Sequence, residues 1–123
     1  MSPTDLKALS SVIDDKALLA RCLNNLQFVE RILALFDGKC GEELSELDRA
    51  LEAGDIESVS RIAHRLTGAC ANAAAFELQS CASKLRTAAE KNALPEAATC
   101  LEELRCGWQR FSAALSTRQK TSV

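Results

Sequence analysis

The sequence predicts an all-α protein: an antiparallel up-down-up-down four-helix bundle with one or two short capping helices at the N-terminus. Three features point there. Of 123 residues, twenty are Ala and eighteen are Leu, while Tyr is absent and Val and Ile are few, a composition that prefers helix over strand. Apolar residues recur by threes and fours instead of alternating. The breaks between these stretches are short and carry helix-ending and helix-starting residues, so consecutive helices should run antiparallel. Each predicted helix has one apolar stripe, and a bundle buries all of the stripes together.

Ser2-Pro3-Thr4-Asp5 reads as an N-cap, an N1 proline and an early carboxylate, opening a short helix with Leu6, Leu9 and Ile13 on one side. Asp14 and Asp15 interrupt it, and a second short turn carries Leu18, Leu19, Cys22 and Leu23. Asn24-Asn25 then offers a cap to a long amphipathic helix. Its stripe is Leu26, Val29, Leu33, Phe36, Cys40, Leu44, Leu47 and Leu51, and Gly38 and Gly41 are expected to soften its middle. Gly54-Asp55 reads as a C′ glycine followed directly by an N-cap, so the chain reverses there. The returning helix has the stripe Ile56, Val59, Ile62/Ala63, Leu66 and Ala69/Cys70, which fades at Asn72 and Ala73-Ala74-Ala75. Leu78, Cys81, Leu85 and Ala88 mark the next helix, ending near Asn92. The last starts at Pro95 and carries Leu101, Leu104, Trp108, Phe111 and Leu115, ahead of a frayed polar tail over 116–123.

The length suits one domain over 1–123, with its core in about 15–115. A chain of this size buries roughly 65–70% of the surface its unfolded form exposes, enough for a core without staples. With 17 acidic against 15 basic residues, bulk positive charge is not available for nucleic-acid binding. No stretch has the order of a signal peptide, and none is apolar for long enough to span a bilayer, so the expectation is a cytoplasmic protein with no membrane partner. An initiating Met1 and a ragged tail favour a free-standing, monomeric domain. The cysteines, at 22, 40, 70, 81, 100 and 106, include no C-x-x-C pair and sit in or beside apolar patterns. They read as small buried thiols of a reducing compartment. With a single His in the chain no metal site is expected.

That histidine, His64, follows the stripe residue Ala63 and so lies about 100° around the helix from the core line, within reach of water or a partner. Its neighbours at three and four residues are Ser60, Arg61, Thr67 and Gly68, which supply little apolar bulk. A glycine inside a helix costs about 1 kcal/mol relative to Ala. Gly68 therefore either leaves space beside the imidazole or accommodates tight helix packing.

These residues resemble those of the histidine-containing phosphotransfer (HPt) domain of multistep phosphorelays. The segment Ala63-His64-Arg65-Leu66-Thr67-Gly68-Ala69-Cys70, with Leu78 and Leu85 downstream and Gly54-Asp55 upstream, carries the similarity, which extends over about residues 15–115. Thr67 stands where the family usually has Lys, and Ala74 where it usually has a second Gly. The resemblance implies that His64 accepts a phosphoryl group from the aspartyl phosphate of a receiver domain and passes it to another receiver. It implies a hybrid sensor histidine kinase and response-regulator receivers as partners, with Mg²⁺ on the receiver and no cofactor in this chain.

An imidazole's ordinary pKa of about 6.5 leaves it largely neutral near pH 7, a competent nucleophile without a general base. No glycine loop able to cradle nucleotide phosphates is present, so a carrier is expected and not a kinase. A nearby cation would come from Arg61, Arg65, Lys84 or Arg86. If the chain reverses near residue 75, His64 and Arg86 stand eleven residues to either side of it and face each other, while a turn shifted by one residue brings Lys84 opposite instead. The competing reading is a non-catalytic helical module that docks on receiver or kinase domains without carrying phosphate, supported by the missing lysine at Thr67.

Overall fold

Side-chain caps start four of the six helices. The Ser2 hydroxyl accepts from the Asp5 N–H at 3.1 Å while the Asp5 carboxylate accepts from the Ser2 N–H, a reciprocal box that opens α1 (Pro3–Lys7). Asp14 caps α2 (Asp15–Arg21) through the Ala17 N–H, so the acidic pair that interrupts the first apolar segment also begins the next helix. Asn25 caps α3 (Leu26–Glu52) through the Phe28 N–H, and Asp55 caps α4 (Ile56–Asn72) through both the N–H and the hydroxyl of Ser58. Helices α5 (Phe76–Glu90) and α6 (Leu94–Thr121) complete the chain, and there is no strand among the described residues. This computed structural model describes residues 1–121, with side chains through residue 117.

Helices α3 to α6 form the predicted antiparallel bundle, and the N-terminal segment covers one end of it. Leu6, Leu9, Ile13 and Leu18 are buried there although α1 itself is only five residues long. The Asp14 N–H donates to the Ala74 carbonyl at 2.8 Å, and the Arg21 guanidinium donates to the Ala71 carbonyl, tying this cap to the α4–α5 turn. Ala73, Ala74 and Ala75 are all buried under it, where larger side chains would hold the cap away. At each of the three reversals between α3 and α6 a residue just past the helix takes a left-handed conformation, Gly54 at φ +70°, Ala74 at φ +56° and Asn92 at φ +57°. For Gly54 that costs nothing. For Ala74 it carries a Cβ strain that a glycine would avoid.

Several stripes shift from their expected lines. Leu26, Leu51, Cys81 and Trp108 are half-buried, and Ala82 replaces Cys81 as the inward residue of α5. Leu23 is 88% exposed at φ +54°, because it forms the left-handed turn between α2 and α3 and so faces outward. Helix α3 runs through Gly38 and Gly41 without a break. Gly41 lies against the Trp108 ring, where an added Cβ would sit 3.0 Å from Cζ2, and the Trp108 indole N–H donates to the Asp37 carbonyl. Phe36 and Phe111 meet edge to face with centroids 5.3 Å apart, closing α3 onto α6. The helix α6 backbone continues to Thr121, past the residue at which the sequence suggests fraying, and residues 122–123 lie outside the described residues.

Candidate functional site

His64 is exposed in the middle of α4, on the flank that faces α5. It opens onto a depression of about 400 Å³ whose charged rim is Arg61 and Glu57 from α4 and Arg86 and Glu90 from α5. Ser60 and the apolar side chains of Ile56 and Ala89 complete it. Arg86 thus stands on the side the hairpin symmetry about residue 75 predicts. Its Nε donates to Glu90 Oε1 at 2.8 Å, an ion pair one turn apart on α5 with both side chains about half exposed. Arg61 reaches back to the Ser58 hydroxyl at 3.3 Å.

Gly68 lies one turn beyond His64 with open space around it, since a Cβ added there would meet nothing within 4 Å. This removes tight helix packing as its purpose. The contrast is Gly107 on α6, where an added Cβ would come within 2.7 Å of the buried Leu78 Cδ2. Thr67 turns its hydroxyl back along the helix, donating to the Ala63 carbonyl at 3.1 Å and the His64 carbonyl at 2.5 Å. It therefore offers neither charge nor a free proton to a group on the imidazole.

Two of the expected cations lie elsewhere. Lys84 faces α6, lining a depression of about 540 Å³ with Lys91, Thr87 and Cys100. Two residues along a helix is a rotation of about 200°, so Lys84 and Arg86 occupy opposite flanks of α5 and only Arg86 shares the His64 surface. Arg65 is turned toward α3, where its Nε and Nη2 grip Glu43 at 2.9 and 2.7 Å and Nη2 also reaches Glu46 at 3.2 Å. One residue of rotation past His64 carries it to the other side of α4.

Glu43, 1% exposed, is the buried charged residue of the core among the described residues. Burial pushes its carboxyl up, but the hydrogen bonds and charges of Arg65 and Lys39 outweigh that and hold it below the ordinary carboxylate range. The pair locks α4 against α3 beside the histidine. Sequence reasoning missed it, as it missed Glu57 and Glu90. The signal existed in each case: Glu43 and Arg65 lie eleven residues to either side of Gly54, Glu57 lies four residues before Arg61, and Glu90 lies four residues beyond Arg86.

Cys22, Cys40 and Cys70 are buried as expected, whereas Cys81 and Cys100 are half-buried and Cys106 is exposed on α6, beside the groove it forms with α5. Desolvation pushes the Cys70 thiol up to about 12, and pushes Cys40 up further, with Cys70 and nearby carboxylates adding to the effect. No cluster of three or more metal-ligating side chains occurs among the described residues. Nor is any helix there long and apolar enough to cross a membrane.

A family model described as the Hpt domain matches residues 31–114. In fold the chain is similar to histidine-containing phosphotransfer protein B (HptB) from Pseudomonas aeruginosa, with a TM-score of 0.81 and 24% identity, covering 89% of this chain and 96% of that one. It is also similar to the histidine-containing phosphotransfer protein ZmHP2 from maize, with a TM-score of 0.80 and 19% identity, covering 94% and 92% of the two chains. No curated protein sequence matches it.

Proposed function

The chain belongs to the Hpt domain family, and from that premise we propose that it relays phosphoryl groups between receiver domains through His64. The donor is the receiver of a hybrid sensor histidine kinase, the acceptor is a response-regulator receiver, and the carrier acts as a cytoplasmic monomer. The observation that carries this reading is the exposure of the chain's single histidine on a rigid helix, beside an empty Gly68 position and across from Arg86.

The chemistry asked of this chain is small. The lone pair of the unprotonated ring nitrogen forms a bond to phosphorus as the P–O bond to the receiver's aspartate breaks, and that bond's electrons leave with the carboxylate. The other ring nitrogen keeps its proton. Such in-line transfers pass through a loose transition state, for which positioning and charge matter more than covalent assistance. Mg²⁺ and most of the charge stabilisation belong to the receiver. This chain contributes a nucleophile fixed by helical hydrogen bonds, and Arg86 and Arg61 as the cations that share its depression, in place of the family's usual lysine at Thr67.

The test is incubation with phosphorylated receiver domains from the same genome, scoring acid-labile label. Wild type should take up label, and His64→Gln should abolish it while leaving the helical circular dichroism intact. Label retained by His64→Gln overturns the assignment of the acceptor. A wild-type chain that binds phosphorylated receivers and never takes up label overturns the carrier reading in favour of a docking module.

A further inference from the structure

The depression around His64 holds two guanidiniums, Arg61 and Arg86, and two carboxylates, Glu57 and Glu90, so its fixed charges cancel while the imidazole is neutral. A phosphoryl group brings about two negative charges to that balanced surface. One of these cations is already partly engaged, because Arg86 Nε is bonded to Glu90 at 2.8 Å. The helix dipole does not favour Glu90, which is the last residue of α5. A carboxylate at a helix C-terminus lies at the negative end of the dipole, where a cation would be favoured.

We propose that Glu90 sets how readily the phosphoryl group leaves His64, by competing with it for Arg86 and by standing beside it as a like charge. The proposal rests on His64 being the acceptor. In the unphosphorylated chain Arg86 and Glu90 neutralise each other. In the phosphorylated chain Arg86 must divide its single charge between the phosphoryl oxygens, within reach of its Nη N–H groups, and the Glu90 carboxylate on Nε, or else release Glu90 unpaired on the same surface. An exposed pair of this spacing is worth a factor of roughly two in equilibrium, weak enough to be broken by a dianion and strong enough to diminish the stabilisation Arg86 delivers. The phosphorylated state is thereby kept from becoming too stable, which suits a carrier that must unload as well as load.

The experiment uses the full chain loaded with phosphoramidate, a small donor that removes receiver docking from the comparison. The acid-labile label is followed for its half-life and for its steady-state fraction at fixed donor. Glu90→Gln should lengthen the half-life and raise the phosphorylated fraction by about three- to fivefold. In an Arg86→Ala background the same change should act by less than about twofold, because the competition has been removed and only the direct repulsion remains. Glu103→Gln alters net charge equally, but on α6, where Glu103 lines a depression shared with the flank of α5 that carries Lys84, and it should change nothing. Thermal midpoints report whether any variant acts through the fold. Equal half-lives for wild type and Glu90→Gln overturn the proposal while the carrier reading stands, as does an equal gain from Glu103→Gln or an undiminished gain without Arg86. A shortened half-life in Glu90→Gln also overturns it, showing that Glu90 positions Arg86 for the phosphoryl group. Absence of label on wild type with both phosphoramidate and phosphorylated receivers overturns the carrier reading itself.

Discussion

Gly68 gives the sharpest test of what the His64 surface is for, because its energetic and functional effects separate. An added Cβ at Gly68 or at Gly38 meets nothing within 4 Å, so Ala at either position recovers the helix-interior propensity that glycine forgoes, about 1 kcal/mol. For a domain of this size that is a rise of about 3–5 °C in Tm. Gly107→Ala should move the other way. The 2.7 Å approach to Leu78 Cδ2 forces a side chain that is 2% exposed to shift within a packed core, and overpacking of that kind costs about 1–3 kcal/mol, outweighing the same propensity gain. Thermal unfolding followed by circular dichroism ranks the three variants. Label transfer from a phosphorylated receiver then adds the functional axis: Gly38→Ala and Gly68→Ala should transfer at close to wild-type rates. Gly68→Gln, whose side chain reaches over the imidazole, should slow transfer about tenfold or more while remaining as stable as wild type. A destabilised Gly68→Ala would refute the reading that the position is empty. A Gly68→Gln that transfers at the wild-type rate would refute the reading that the emptiness serves the histidine.

Arg86→Ala should lower the phosphorylated fraction by about three- to tenfold, the scale of one solvent-exposed charge-assisted contact, and Thr67→Lys in that background should restore much of it. Lys84→Ala should be silent, and a loss there with none in Arg86→Ala would contradict the placement of the two residues on opposite flanks of α5. Because Glu43 is held below its ordinary value near 4.5, its interaction with Arg65 and Lys39 contributes full stability above that pH and loses it as pH falls through the lower folded value. The urea midpoint of wild type should therefore drop more steeply below pH 4.5 than that of Glu43→Gln. In the native protein Cys106 should alkylate first, whereas Cys40 and Cys70, buried and with raised thiol pKa values, should react only on unfolding, as peptide mapping after an iodoacetamide pulse would read.

Much of this molecule was legible in the sequence, for definite reasons. The caps at Ser2, Asn25 and Asp55 and the reversal at Gly54 are local chemistry, written in adjacent residues. The placement of Arg86 on the His64 surface followed from one assumption about the turn, since antiparallel helices pair residues equidistant from it. Glu43 and Arg65 obey the same symmetry about Gly54 and were missed because a glutamate beside a stripe reads as solvated. Its burial is tolerable because Arg65 meets it from across the interface and Lys39 from one turn back on the same helix, and periodicity does not record which way a long side chain turns. Arg65 shows the converse. Next to His64 in sequence, it is far around the helix in space, and neighbouring numbers suggested a shared role that rotation denies. On α5 the stripe was ambiguous because small apolar residues occupy both flanks of Leu85, so Cys81 and Ala82 could exchange places at little cost in pattern.

The fastening of the N-terminal segment to the α4–α5 turn has a consequence for where this protein can be cut. The recognisable family pattern starts at residue 31, inside the second turn of α3. A chain begun there would lose Leu6, Leu9, Ile13 and Leu18 from the core, uncover the alanine turn at 73–75, and leave the Ala71 and Ala74 carbonyls without their donors from Arg21 and Asp14. It would also start α3 without Asn25, its cap. The stretch that identifies the family is thus shorter than the stretch that folds. Expression boundaries drawn on similarity alone would remove a lid that the conspicuous half of the molecule cannot replace.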